Sequence, residues 1–125
     1  MASKTILVID DDQTVTEILK EHLKSNGYDV LISHNGEDGL ELAKSKNPDA
    51  IILDWMLPGI DGNEVLKKLY RQHELKHIPV IMLTAKSEIN YVSDSLDLGA
   101  RDYIAKPFDE KNLIERIEKL FKHKD

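Results

Sequence analysis

Acidic side chains follow two strongly apolar segments of this chain. Asp10, Asp11 and Asp12 come directly after "ILVI", and Asp54 comes directly after "AIIL". Neighbouring carboxylates disfavour one another's ionisation, so a group of them in one place calls for a compensating cation. Magnesium prefers oxygen ligands, usually one or two carboxylates together with waters and phosphate oxygens. If the two segments lie side by side, these acids are typical of a site for a hard divalent cation.

Asp12 has a second explanation. Gln13 onward has the pattern of a helix, and an aspartate just before a helix commonly caps its first free N–H groups. A purely structural explanation is weaker for Asp10, Asp11 and Asp54 together, because turns and caps do not need three crowded acids.

A hydroxyl group and an ammonium group follow two other apolar segments. Thr84 and Ala85 end the segment "IPVIMLTA", and Lys106 stands before Pro107 after "DYIA". Thr84 is also an ordinary strand residue, because β-branched side chains suit strands. Lys106 is less ordinary, since a fixed turn or a cis bond to Pro107 would aim it inward. Its ammonium group can pair with carboxylates or with phosphate oxygens.

Short apolar segments recur along the chain and predict five strands. Two of them lack alternation, which favours strands that are covered on both faces, as in a parallel sheet. The predicted strands are Thr5–Ile9, Tyr28–Ile32, Ala50–Leu53, Ile78–Leu83 and Tyr103–Ala105.

Segments with helical periodicity lie between and after these strands. Asn26 and Gly27 are suited to end the first helix, whereas Ser87 and Asp109 are suited to begin the last two. One apolar stripe comprises Val15, Ile18, Leu19 and Leu23, and another comprises Leu113, Ile114, Ile117, Leu120 and Phe121.

The order is therefore a strand followed by a helix, five times over. This order predicts an α/β fold with a parallel sheet, right-handed crossovers and helices on both faces. The 125 residues suit a single domain, residues 1–125. Ligands of such sheets bind beyond the carboxyl ends of the strands, where all the candidate residues above are expected to meet.

The composition excludes several classes of function. A net charge of −6 argues against nucleic acid as a direct partner, and the lack of cysteine excludes disulfide and thiolate chemistry. No apolar run reaches the length of a membrane span, and the N-terminus lacks the pattern of a signal peptide. We expect a cytoplasmic protein without a membrane partner.

Four motifs resemble a known family over essentially the whole chain. They are "ILVIDDD", "AIILDWMLPGIDG", "IPVIMLTA" and "ARDYIAKPF", in this order. The chain resembles the CheY-like receiver domains of the response regulators of two-component (His-Asp phosphorelay) systems. The resemblance implies a flavodoxin-like (βα)5 three-layer sandwich with a five-stranded parallel sheet of order 2-1-3-4-5.

The resemblance also implies roles for the acidic residues. Asp54 would be the phosphoacceptor, whose carboxylate takes a phosphoryl group from a histidine of a partner. Asp11 and Asp54 would bind Mg²⁺ (with Mn²⁺ as a substitute) together with the backbone carbonyl of Met56, and Asp10 would assist through a water. The chain would be a signalling phosphoacceptor and not an enzyme with an external substrate.

The remaining strand-end residues receive roles in the same way. Lys106, Thr84 and Ala85 would bind the phosphoryl group. Thr84 would move toward that group, and Tyr103 would swing into the space that it leaves. The surface formed by the fourth helix, the fifth strand and the fifth helix would change in consequence and control a downstream partner.

The partners implied are a sensor histidine kinase or a histidine phosphotransfer protein, and a downstream protein target or a covalently linked effector domain. Met56 and Lys86 flank the site and are expected to tune the lifetime of the phosphoryl group. The residues expected to dock the kinase are Thr14, Ile18, Pro107 and Phe108.

One subfamily of these regulators dimerises through charge pairs between the fourth and fifth helices. Two of the aligned positions here carry Val92 and Asn112, which cannot attract each other by charge. Asp102 and Arg116 retain one pair. The sequence therefore favours a stand-alone regulator over that dimer.

Other functions fit these residues less well. His73-Glu-Leu-Lys-His77 spells the zinc-protease motif, but Pro79 follows too closely for both histidines to share a helix. A haloacid-dehalogenase-like phosphatase needs an acid where Met56 stands. Phosphate-binding glycine motifs are absent, and a flavodoxin-like cofactor carrier would leave the acids unexplained. A degenerate receiver that acts only as a scaffold remains the more serious alternative.

Overall fold

The computed structural model describes residues 3–85 and 92–122. Five strands alternate with five helices along the chain. The strands are β1 (Thr5–Ile9), β2 (Asp29–Ser33), β3 (Ala50–Asp54), β4 (Val80–Ala85) and β5 (Asp102–Lys106). The helices are α1 (Gln13–Ser25), α2 (Gly36–Lys46), α3 (Gly62–Arg71), α4 (Val92–Asp97) and α5 (Glu110–Lys122).

All five strands lie in one parallel sheet of order β2-β1-β3-β4-β5. Because every strand runs in the same direction, all carboxyl ends meet at one edge. The predicted fold class and strand order are confirmed.

The bounds of β1 are as predicted, whereas those of the other four strands differ from the predicted ones by one or two residues. β2 begins after Tyr28, because the Tyr28 N–H donates to the Leu23 carbonyl and belongs to the turn that ends α1. β4 begins after Ile78, whose N–H donates to Leu75 in the preceding turn, and after Pro79, which has no N–H to donate. β5 extends by one residue at each end.

Two apolar clusters cover the faces of the sheet. One lies under α2 and α3 and includes Ile9, Leu53 and Met82; the other lies under α1 and α5 and includes Val8, Ile52 and Leu83. Successive residues of a strand point to opposite faces, so each central strand contributes to both clusters. The fold is therefore the expected three-layer sandwich.

Helix ends mostly follow the predictions. Asp12 caps α1 by accepting from the N–H groups of Thr14 (2.9 Å) and Val15 (3.2 Å). Gly27 follows α1 with a φ of +90°, and Asp109 accepts from the Asn112 N–H at 2.7 Å at the start of α5. The predicted cap Ser87 lies outside the described residues.

The apolar stripe of α5 is confirmed, but that of α1 is wrong at one position. Ile18 is 41% exposed, whereas Leu19 and Leu23 are buried and Val15 packs against the same cluster. Helical spacing places Ile18 at the margin of the stripe, beyond the reach of the sheet.

The histidines of the zinc-protease motif do not share a helix. α3 ends at Arg71, and His73 and His77 lie exposed in the turns that precede β4. Among the described residues, no helix combines the length and the apolar character that crossing a bilayer requires.

Candidate functional site

The register of β1 and β3 brings two carboxylates together. Ile9 pairs with Leu53, so Asp10 and Asp54 follow side by side at the carboxyl edge of the sheet. Asp10 is fully buried and Asp54 is 3% exposed, whereas Asp11 is exposed. One carboxylate oxygen from each of the three residues lies within 4.8 Å of those of the others. The structure therefore gathers the three acids singled out in the sequence.

Lys106 reaches these acids from the far side of β4. Ala85 pairs with Lys106 in the β4–β5 ladder, which places Lys106 at the same edge, and its bond to Pro107 is cis. The Lys106 Nζ lies 3.2 Å from Asp10 Oδ2 and 3.6 Å from Asp54 Oδ1. One ammonium group thus serves two buried carboxylates.

The carboxylates outnumber the cation, and the pKa of Asp54 reflects this. Burial, followed by the charge of Asp10, raises the pKa of Asp54 to about 7 against the opposing effects of Lys106 and the Met56 N–H. Burial alone would lower the pKa of Lys106, but the charges of Asp54 and Asp10 outweigh it and raise that pKa. One ammonium group therefore does not balance the negative charge of this site near neutral pH.

Asp10 has one oxygen with incomplete hydrogen bonding. Its Oδ1 accepts from the Asp12 N–H at 2.9 Å. Its Oδ2 pairs electrostatically with Lys106 but has no hydrogen bond of good geometry among the described residues. A buried carboxylate oxygen in this condition, beside two further carboxylates, fits a hard divalent cation such as Mg²⁺.

The segment after Asp54 folds back closely on the strand. The Met56 N–H donates to Asp54 Oδ1 at 3.3 Å, while the Met56 side chain is 54% exposed. Gly62 begins α3 and donates its N–H to the Trp55 carbonyl at 2.8 Å. A Cβ at position 62 would lie 2.6 Å from the Asp54 carbonyl oxygen, so the approach requires glycine. The contact with Gly62, the first residue of α3, therefore fixes the backbone next to the Asp54 carboxylate.

Thr84 and Tyr103 point to the same face of the sheet. Met82 pairs with Tyr103 and Thr84 pairs with Ala105, so alternation directs all four side chains to the α3 face. Thr84 is buried and its hydroxyl donates to the Ala85 carbonyl at 3.3 Å, whereas Tyr103 is half-buried. Tyr103 lies two register pairs further from the carboxyl edge than Thr84, away from the three acids.

The residues predicted to dock a kinase lie around the site but outside it. Thr14 and Ile18 are exposed on α1, and Pro107 is exposed after β5. Phe108 is half-buried against the cluster under α1 and α5. Lys86, expected to flank the site, lies outside the described residues.

Hydrogen bonds between α3 and α4 were not predicted from the sequence. The buried Ser95 hydroxyl donates to Oδ1 of Asn63 at 2.7 Å. Asn63 is the residue that directly follows Gly62. Further along, the Tyr70 hydroxyl donates to the Gly99 carbonyl at 2.9 Å. Residues 32 and 29 positions apart carry no local signal of pairing, so only the packed structure identifies these contacts.

The Val92 and Asn112 positions do not offer an exposed charge pair. Val92 is buried, and Asn112 accepts from the Arg116 Nε at 3.2 Å within α5. Asp102 and Arg116 form their ion pair within this chain.

Residues 6–118 match the family described as response regulator receiver domain. Solved structures agree with this match. A protein assigned as a response regulator from Chloroflexus aurantiacus J-10-fl is 38% identical with a TM-score of 0.91, over 95% of this chain and 98% of that one. The receiver domain of Francisella response regulator 1452 is 34% identical with a TM-score of 0.88, over 98% of this chain and 100% of that one.

A longer protein matches as well. NtrX from Brucella abortus is 26% identical with a TM-score of 0.92, and the match covers 98% of this chain but 28% of NtrX. The described fold therefore also forms part of a longer chain.

Proposed function

Because this chain belongs to the response regulator receiver domain family of two-component signalling, we propose that Asp54 accepts a phosphoryl group from a histidine kinase or a histidine phosphotransfer protein. The observation that carries the proposal is the buried Asp54 carboxylate, which has Lys106 Nζ at 3.6 Å and the acids Asp10 and Asp11 beside it. A nucleophile held rigidly at a strand end, next to groups that bind phosphate or a metal, is suited to phosphoryl transfer.

The transfer makes one bond and breaks one. An Asp54 carboxylate oxygen attacks phosphorus, and the bond from phosphorus to the histidine nitrogen of the donor breaks with its electron pair going to the imidazole. Asp54 must be ionised to attack, so its burial beside Asp10 opposes the reaction until positive charge arrives. The chain acts as a signalling domain whose chemistry is confined to its own aspartate.

Mg²⁺ fits the charge that this site lacks, with Mn²⁺ as a substitute. Asp11 and Asp54 would bind it through their side chains and Met56 through its backbone carbonyl, with Asp10 assisting through a water. When bound, the ion offsets negative charge on the transferring group. Lys106 meanwhile keeps the Asp54 carboxylate in place, because its ammonium group pairs with both Asp54 and the buried Asp10.

Lys106, Thr84 and Ala85 would bind the phosphoryl oxygens after transfer. Lys106 can exchange its pairing with the Asp54 carboxylate for a pairing with phosphate. Thr84 would turn its hydroxyl from the Ala85 carbonyl toward the new oxygens.

The output follows from the shared face of Thr84 and Tyr103. The side chain of Ala105, which pairs with Thr84 and lies between it and Tyr103 on that face, is only a methyl group. Movement of Thr84 would open space over Ala105, and the Tyr103 ring would fill it. The surface formed by α4, β5 and α5 would change and alter the binding of a downstream target.

The partners follow from the same surfaces. The exposed Thr14, Ile18 and Pro107, together with the half-buried Phe108, would dock the kinase beside Asp54. The likeness to part of NtrX supports a covalently linked effector domain as an alternative to a separate target protein. We propose that the domain itself binds neither nucleic acid nor membrane.

Intact mass spectrometry tests the central step. Incubation with acetyl phosphate and Mg²⁺ is expected to add the mass of one phosphoryl group to the protein, and Asp54→Asn is expected to abolish the addition. Asp61→Asn is the matched control, because Asp61 caps α3 by accepting from the Glu64 N–H and stands outside the acidic group. An adduct that survives in the Asp54→Asn variant would overturn the assignment, and no adduct in any variant would favour the scaffold alternative.

A further inference from the structure

Arg116 of α5 contacts Tyr103, the side chain that is proposed above to swing toward Thr84. Its Nη1 lies 2.5 Å from Asp102 Oδ1, and its Nε donates to Asn112 Oδ1 at 3.2 Å. Its guanidinium carbon lies 5.6 Å from the centroid of the Tyr103 ring. Two polar contacts therefore fix a cation over the face of an aromatic ring, where the ring's quadrupole attracts it.

One carboxylate oxygen of Asp102 contacts both the backbone of Tyr103 and the guanidinium group of Arg116. The Tyr103 N–H donates to Asp102 Oδ1 at 2.8 Å, and the same oxygen receives Arg116. The backbone of Tyr103 and the guanidinium group are thus held in a fixed relation. An inward swing of the ring toward Thr84 would leave the Arg116 cation without its aromatic partner.

We propose that Arg116 is a positioning residue that holds Tyr103 in its half-buried position and so opposes the inward rotamer. This inference rests on the proposed function for its signalling consequence, but the contact and its effect on the ring stand on their own. Arg116 acts through Tyr103 and does not touch the phosphoryl group.

The contact is strong enough to favour one position of the Tyr103 ring but too weak to exclude the other. Arg116 and Asp102 are both part-exposed, so solvent weakens their attraction, and cation–π contacts at such sites are modest. The cation–π contact, which is the one that the ring loses on moving inward, corresponds to a preference of about two- to fivefold between the two positions of the ring. A recess of about 370 Å³ beside Asp102, Asn112 and Arg116 leaves room for the guanidinium group to move aside.

The position of the ring is measured directly by NMR. In the Arg116→Gln variant, nuclear Overhauser contacts from the Tyr103 ring to the methyl groups of Thr84 and Ala105 are expected to strengthen by about two- to fivefold. In Tyr103→Leu, the Arg116 Nε–H signal is expected to lose its ring-current shift. Unchanged contacts in Arg116→Gln would overturn the proposal, whether or not Asp54 is phosphorylated.

Phosphorylation kinetics test the consequence. Trp55 is the only tryptophan and follows Asp54 directly, so its fluorescence reports on the site. With acetyl phosphate, Arg116→Gln is expected to raise the phosphorylation rate about two- to fivefold while leaving the affinity for Mg²⁺ unchanged. Arg116→Lys, which keeps the charge, is expected to restore part of the wild-type rate.

Two controls separate positioning from charge. Lys119→Gln makes the same change of charge one turn further along α5, where the side chain is exposed, and is expected to leave the rate unchanged. In a Tyr103→Leu background, Arg116→Gln is expected to have no effect on the rate. Equal effects of Lys119→Gln and Arg116→Gln, or an undiminished effect without the ring, would overturn the proposal. If the wild type takes up no phosphoryl group, the proposed function fails, and the NMR measurement alone decides the role of Arg116.

Discussion

The Lys106 ammonium nitrogen lies 3.6 Å from Oδ1 of Asp54, with both groups largely shielded from water. Charges at this distance interact strongly when solvent is limited, so the pair fixes the direction of the carboxylate. The same ammonium group lies nearer still to Asp10, at 3.2 Å. Lys106 is therefore shared between Asp54, the proposed nucleophile, and its acidic neighbour Asp10.

Lys106→Met is expected to slow phosphorylation by acetyl phosphate about 10- to 100-fold, because a fixed charge beside the transferring group is lost. The rate at which the phosphoryl mass appears on the protein measures the effect. Lys111→Met, an exposed lysine on α5, is the control and is expected to react as the wild type does. A Lys106→Met rate within twofold of the wild type would remove Lys106 from the proposed machinery.

Asp11→Asn is expected to abolish stabilisation by Mg²⁺. An ion that binds only the folded state stabilises it by about 2.7 kcal/mol at 100 times its dissociation constant, which raises the melting temperature. Asp12→Asn is a close control, since it makes the same change of charge one residue away and asparagine also caps helices well. Thermal unfolding with and without Mg²⁺ compares the three proteins, and equal responses would contradict the assignment of Asp11.

The metal-free protein is expected to lose stability relative to Asp54→Asn as the pH rises. Burial, then the charge of Asp10, raises the folded-state pKa of Asp54 from 3.8 to about 7. Because the folded protein holds this proton more tightly than the unfolded chain does, the group stabilises the fold fully at pH values below its pKa in the unfolded chain. This stabilisation is lost as the pH rises through its pKa in the folded protein. The difference in unfolding free energy between Asp54→Asn and wild type should therefore grow between about pH 4 and pH 7 and then level off.

Urea unfolding at a series of pH values, in the presence of a chelator, measures that difference. Asp29→Asn, at the exposed start of β2, controls for the general effect of removing an acid. A difference that stays constant between pH 5 and pH 8 would show that Asp54 titrates in its ordinary range.

Gly62→Ala is expected to weaken Mg²⁺ binding as well as stability. Its new Cβ would meet the Asp54 carbonyl oxygen at 2.6 Å and the Trp55 Cα at 2.8 Å, and backbone atoms cannot turn aside as side chains do. Gly36→Ala is the matched control, because its Cβ would meet the side chains of Val65 and Ile60 at 2.6 and 2.7 Å. Titration of Trp55 fluorescence with Mg²⁺ compares the two, and equal affinities in both variants would contradict a special role for position 62.

The α/β class and the parallel sheet were predictable from local patterns in the sequence, whereas the strand order came from the family resemblance. The apolar runs of β1 and β3, which do not alternate, required cover on both faces, and the residues at the carboxyl ends of the parallel strands then had to meet at one edge. The gathering of Asp10, Asp11 and Asp54 followed from that rule.

Contacts that depend on helix rotation and loop packing were not predictable. Ile18 was assigned to the buried stripe of α1 because its spacing allowed it, yet the width of the sheet decides which residues at the margin are covered. The stacking of Arg116 on Tyr103 depends on how α5 sits against β5. The preference of Lys106 for Asp10 over Asp54 depends on distances that no sequence pattern encodes.

The two apolar clusters are kept apart by the sheet itself. Thr84 and Tyr103 face α3, whereas Leu19 of α1 and Leu113 of α5 belong to the opposite cluster. Because side chains that share no neighbour change stability independently, substitutions on one face should leave the energetics of the other untouched. The edge of the sheet is the exception, because Arg116 of α5 reaches the Tyr103 ring there, so substitutions in α5 can act on both faces whereas substitutions in α1 act on one.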